Sequence, residues 1–203
     1  MIAIIDYGVG NLFSLTCSFK SIGADICVTS DPEVIAKADR IILPGVGAFE
    51  DAAKKLRASG LDKVIKDECA KGKPLLGICL GMQMLFERSY EYGEHEGLGL
   101  IKGSIRPISD VIPKDLKIPH IGWNALCFGE KKDELFKYIN EGDFVYFVHS
   151  YYGADCAESL IATSEYGAPL TAAVRKGNVC GVQFHPEKSE RVGLAILKAF
   201  CEI

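Results

Sequence analysis

The chain has 203 residues, near the ~100–200 of an ordinary domain, with 48% hydrophobic and 25% charged, so one sizeable core fits and neither disorder nor a collagen-like repeat does. Lys and Arg number 23 against 27 Asp and Glu, a net charge of −4 that lacks the basic excess a phosphate backbone demands, which argues against a nucleic-acid partner. Apolar runs such as Phe144–Val148 fall far short of the ~18–20 residues of a bilayer span, so no membrane partner is expected.

Met1-Ile-Ala-Ile-Ile-Asp6 meets an acid early and lacks a basic leader, so it reads as a first strand over Ile2–Asp6 and implies a cytoplasmic address. Asn11 then opens a helix to about Ile22, with Leu12, Leu15 and Phe19 on one face and Gly23 at its close. Ile26–Thr29 reads as a strand, Pro32 as the first residue of a helix, and Arg40–Leu43 as a third strand ending in Pro44-Gly45-Val46-Gly47. Helices are expected at about Glu50–Ser59 and Leu61–Lys71. Pro74–Ile78 is wholly apolar, as suits a central parallel strand covered on both faces, and leads into a helix from Cys79 to about Ser89. From about Leu98 short strands follow closely: Gly99–Pro107, Lys117–Trp123, Phe144–His149, Ser159–Ser164, Leu170–Lys176 and Asn178–Phe184. A helix over Ser189–Phe200 ends the chain. The pattern predicts an α/β fold in one domain over residues 1–203, with helices on both faces of a mostly parallel sheet and an antiparallel extension.

Eight cysteines (Cys17, Cys27, Cys69, Cys79, Cys127, Cys156, Cys180 and Cys201) include no C-x-x-C pair, which argues against structural zinc and for free thiols, most of them small buried hydrophobes. Cys79 is the exception. Gly77-Ile78-Cys79-Leu80-Gly81 has the form of a nucleophile elbow, in which glycines flank a tight strand-to-helix turn and the helix start favours a thiolate. A thiol nucleophile needs a base and a group to orient it, and His185-Pro186-Glu187 follows an apolar strand. Oxyanion donors are available from the Leu80 N–H and from the Pro44–Gly47 loop at Val46 and Gly47. His95, His120 and His149 read as structural or interface residues. Cys180, by strand parity, points away from His185.

Gly77-Ile-Cys79-Leu-Gly81-Met-Gln83, with Gln183-Phe-His185-Pro-Glu187 downstream, resembles the signature of the class I (triad) glutamine amidotransferases, over essentially the whole chain. The resemblance implies the family's three-layer, flavodoxin-like fold, no cofactor and no metal, and L-glutamine as substrate. It implies Cys79 as nucleophile, His185 as base and Glu187 as the group that orients it. Gly45, Gln83 and Glu91 correspond to the positions that bind the substrate's amino-acid end. The blocks Asp6–Asn11, Pro44–Gly47, Pro119–Asn124 and His185–Ser189 resemble glutaminase subunits that pass ammonia to a (βα)8-barrel cyclase as a heterodimer. In that branch the matching docking positions are Asn11, Trp123, Asn124 and Lys188.

Three other readings compete, of which a cysteine peptidase or thiol chaperone of similar topology is disfavoured by Gln83 and the His185-Pro186-Glu187 block. A paralogous subunit feeding another synthase would share the triad, and a binding module on the same fold would have no turnover. Such modules usually lack part of the set formed by Cys79, Gln83, His185 and Glu187, all of which this chain carries.

Overall fold

The computed structural model describes residues 1–203. Five strands run parallel: β1 (Ile2–Ile5), β2 (Ile26–Thr29), β3 (Arg40–Leu43), β4 (Leu75–Ile78) and, from the far end of the chain, β14 (Val179–Val182). The sheet order is β2-β1-β3-β4-β14, continued antiparallel by β13 (Pro169–Lys176), β12 (Leu160–Glu165) and the short β9 (Cys127–Phe128). The expected mostly parallel sheet with an antiparallel extension is what forms.

Alternation within the strands divides the interior into two cores. Ala3, Ile5, Ile41, Leu43, Leu75 and Val179 face one side, where α2 (Pro32–Lys37), α3 (Phe49–Ala58), α4 (Leu61–Ala70) and α5 (Leu80–Met84) pack. Ile2, Ile4, Ile42, Leu76, Cys180 and Val182 face the other, under α1 (Leu12–Ser21) and α6 (Glu190–Phe200). Both faces being covered explains why these strands read as continuous apolar runs. Asn11 and Asp31 cap α1 and α2 by accepting the Ser14 and Glu33 backbone N–H groups.

The remaining strands form two smaller sheets. β8 (His120–Ala125) pairs antiparallel with β10 (Phe144–His149). β11 (Tyr151–Ala154), β7 (Ile101–Pro107), β5 (Phe86–Ser89) and β6 (His95–Glu96) form the other. Here the expected helix from Cys79 to Ser89 is corrected: α5 stops at Met84 and Phe86–Ser89 is a strand. Phe86 and Ser89 are buried against Ile101 and Ile105 of β7 while Glu87 and Arg88 stay exposed, so pairing overrides the helical reading of an ambiguous apolar run. The expectation that most cysteines are buried also needs correction: all eight are free, but only Cys69, Cys79, Cys156 and Cys180 are buried. No helix is long and apolar enough to cross a membrane.

Candidate active site

Cys79 follows β4 directly and takes a backbone conformation, φ 54° and ψ −113°, that L side chains rarely adopt. Its N–H donates to the Val182 carbonyl at 2.8 Å, and its carbonyl accepts the Gln83 N–H at 3.1 Å, so the turn is bonded on both sides. The flanking glycines are required sterically. A Cβ on Gly77 would meet the Gly81 carbonyl oxygen at 2.7 Å, and one on Gly81 would meet the Leu43 carbonyl oxygen at 1.9 Å.

The parallel pairing of β4 with β14, Ile78 beside Val182, brings the two strand ends together. Three residues beyond Val182, His185 is buried, and its Nδ1 stands 2.7 Å from Oε1 of Glu187. Burial pushes the His185 imidazole down, but hydrogen bonding and charge from Cys79 and Glu187 outweigh it and hold the ring up at about 9. Gln183 Nε2 also donates to the Cys79 sulfur, at 3.7 Å. Nδ1 is engaged by the carboxylate, which leaves Nε2 for proton exchange with the thiol.

A cleft of about 510 Å³ opens over this corner, lined by Cys79, Leu80, Gln83, Glu91 and His185 together with Val46 and Gly47. Gly45 sits behind it: a Cβ there would meet the Gly81 nitrogen at 2.8 Å and the Leu80 Cβ at 2.9 Å, so the glycine lets the loop press against the elbow. Glu91 reaches the cleft from the turn after β5, where its Oε2 accepts the backbone N–H of Phe49, the first residue of α3. Ala48, the residue before that helix, has no capping side chain, so the carboxylate does that work from a distant part of the chain.

Residues 3–202 match the family model for class-I glutamine amidotransferases. The HisH subunit of imidazole glycerol phosphate synthase from Oceanobacillus iheyensis is 50% identical, across 100% of this chain and 99% of that protein. That from Aquifex aeolicus is 48% identical, across 97% and 94%. The chain belongs to the HisH family of class-I glutamine amidotransferases. Among solved structures, a glutamine amidotransferase superposes with a TM-score of 0.76 at 19% identity, covering 99% of this chain and 100% of that one. The glutaminase domain of Trypanosoma brucei CTPS with bound acivicin gives 0.67 at 16%, covering 99% and 93%. At these identities the structural likeness speaks for the fold. HisH-family proteins are enzyme subunits, so a partner subunit is implied.

Three of the four positions matched to HisH-type docking, Asn11, Lys188 and Trp123, connect through neighbouring elements. Asn11 begins α1, which packs against the 3-10 turn Pro186–Lys188. Lys188 Nζ lies 5.6 Å from the centre of the Tyr146 ring, and that ring meets Trp123 edge-on at 6.0 Å. Trp123 is 44% exposed and so is not simply a core residue. Asn124 instead turns its side chain inward, to His120 and to the Glu165 carbonyl.

The sequence assigns no site role to several residues that the structure brings to this corner. Gln183, fully buried, links Gln83 to the sulfur, accepting from Gln83 Nε2 at 3.0 Å. Tyr92, Pro119, Ser150 and Tyr151 line the cleft from segments distant in sequence, and His149, expected to be structural, lines it too. Gln183 stands two residues before His185, so a search of the strand leading to the base would have found it. Cys180, by contrast, is buried in the α1/α6 core and pushed up to about 12 by burial, which suits an inert thiol.

Proposed function

We propose that this chain is the glutaminase subunit of imidazole glycerol phosphate synthase, one glutaminase domain over residues 1–203 working in the cytoplasm. It hydrolyses L-glutamine and delivers ammonia to a (βα)8-barrel cyclase in a heterodimer. The cyclase uses the ammonia on PRFAR to form imidazole glycerol phosphate and AICAR, a step of histidine biosynthesis. The observation that carries the reading is the convergence of a strained, buried Cys79 and a His185–Glu187 pair at the adjoining ends of β4 and β14.

His185 Nε2 takes the Cys79 thiol proton, Glu187 holds Nδ1 of the resulting imidazolium, and the Cys79 sulfur then attacks the carboxamide carbon. The oxyanion is met by the Leu80 N–H and by an N–H of the Val46–Gly47 loop. His185 returns the proton to the departing nitrogen, the carbon–nitrogen bond breaks, and ammonia leaves a glutamyl thioester. Water, giving its proton to His185, then attacks the thioester, releasing glutamate and restoring the thiol. Gly45, Gln83 and Glu91 form the end of the site that binds the amino-acid part of the substrate. The surface of Asn11, Trp123, Asn124 and Lys188 receives the cyclase, with Trp123 as a partly exposed aromatic anchor.

The test is glutamate production from glutamine by the chain alone, then with the barrel cyclase and its ribonucleotide. Low activity that rises with both additions and vanishes in Cys79→Ala supports the reading. Fast hydrolysis indifferent to the cyclase assigns the chain to another amidotransferase, and no hydrolysis under any condition makes it a binding module.

A further inference from the structure

A buried pair of histidines runs from the candidate docking surface to the cleft. His120 and His149 stand opposite one another on β8 and β10, with His120 Nδ1 3.0 Å from His149 Nε2. Each outer nitrogen meets an acceptor: His120 Nε2 lies 2.9 Å from Asn124 Oδ1, and His149 Nδ1 lies 2.8 Å from the Tyr151 carbonyl. Three hydrogen bonds with carbonyl oxygens at both ends require three N–H groups. Two neutral imidazoles carry two. Turning the Asn124 amide over does not help, because its Nδ2 donates to the Glu165 carbonyl at 3.0 Å and inversion would set two oxygens against each other there.

A third proton would satisfy every contact, but burial pushes both rings down, His149 to about 4. The charges that act on His149 are those of His120 and His185, which oppose another proton. The faces of His120 are taken by the Phe147 and Tyr166 rings, and Glu165 offers the network its backbone carbonyl while its residue is exposed. At neutral pH the couple is therefore one proton short; placing both protons on the outer nitrogens would set the bare His120 Nδ1 and His149 Nε2 lone pairs against each other at 3.0 Å, which leaves two arrangements that keep the bond between the rings. In one, His149 Nδ1–H donates to Tyr151, His120 Nδ1–H donates to His149, and a bare nitrogen faces Asn124. In the other, His120 Nε2–H holds Asn124, His149 Nε2–H donates to His120, and a bare nitrogen faces the Tyr151 carbonyl. That carbonyl also accepts from Gln83 Nε2 at 3.4 Å, so the first arrangement secures the line from Gln83 through Gln183 to Cys79.

We infer that His120 and His149 are positioning residues of the glutamine site, a two-tautomer couple that holds firmly either the Tyr151 carbonyl beside Gln83 or the Asn124 amide at the docking surface. This rests on the reading of the cleft and of that surface given above. A partner group that draws the Asn124 oxygen outward removes the demand at His120 Nε2 and leaves the site-holding arrangement without a competitor. By linkage, bound glutamine favours docking by the same factor.

Asn124→Ala removes the same demand in the full chain without a partner, and 15N NMR of the labelled histidines reports which ring nitrogens carry hydrogen. In the wild type both tautomers of His149 are expected; in Asn124→Ala the Nδ1–H form alone remains, and KM for glutamine falls about threefold with kcat changed less. His149→Leu raises KM roughly tenfold, and His149→Gln, which keeps a donor toward Tyr151, recovers most of the loss. Tautomers in Asn124→Ala that match the wild type overturn the couple whatever the activity, as does a KM at or above the wild-type value. If the wild type forms no glutamate, alone or with the cyclase, the functional reading falls instead, and the tautomers still decide the couple.

Discussion

His185 and Glu187 are bonded side chain to side chain at 2.7 Å across a single intervening residue, Pro186. The proline fixes φ in the first step of a 3-10 turn, and the turn aims the carboxylate back at Nδ1 of the imidazole. The second carboxylate oxygen of Glu187 is buried with no hydrogen-bond partner among the protein's own groups.

That pairing predicts a pH dependence. His185 has a folded-state pKa of about 9, above the ordinary ~6.5 of an unfolded histidine, so its contribution to stability is complete below about 6.5 and is lost as the pH rises through about 9. Denaturant midpoints measured from pH 6 to 10 are expected to fall across that window in the wild type. In Glu187→Gln, which removes the charge but keeps the shape, the fall is smaller, and the alkaline limb of glutamine hydrolysis moves to lower pH. An identical profile in the two proteins refutes the assignment.

The positive φ of Cys79 predicts a trade between stability and activity. Cys79→Gly relieves the strain that Cys79→Ala retains, so the glycine variant should be more stable than the alanine variant by about 1 kcal/mol in chemical denaturation. Both variants are expected to be inactive. Equal stability would mean that the surrounding backbone relaxes on loss of the thiol.

Gly81→Ala sets a Cβ 1.9 Å from the Leu43 carbonyl oxygen, which is backbone and cannot swing aside. A loss of roughly 3 kcal/mol or more is expected, with glutaminase activity lost as β3 and the elbow separate. Thermal unfolding close to that of the wild type would show that the elbow tolerates a wider turn.

Trp123→Ala is expected to leave the stability of the isolated chain nearly unchanged, because the side chain is 44% exposed. Affinity for the cyclase should fall by roughly 30-fold, as measured by titration calorimetry, in keeping with the ~2 kcal/mol typical of a buried aromatic anchor. Unchanged affinity would move the docking surface elsewhere.

Much of the parallel half of the fold was legible in the sequence because its signals are local. Four-residue apolar strands, Asn11 and Pro32 at helix starts, and Gly77 and Gly81 about Cys79 each act within a few residues of themselves. The same locality made Cys79 and the His185–Glu187 pair readable, since a tight turn and a two-residue spacing leave little conformational choice. Only the tertiary structure decided what depends on pairing at a distance. Met84-Leu85-Phe86 supports helix or strand equally, and the presence of β7 settles it. β14 closes against β4 a hundred residues away and so sets His185 beside Cys79. Glu91 caps a helix it does not belong to, and His120 and His149 meet because β8 and β10 pair in one register. Hydrogen bonds and burial between remote segments depend on where the chain closes, and no local pattern of residue types encodes that.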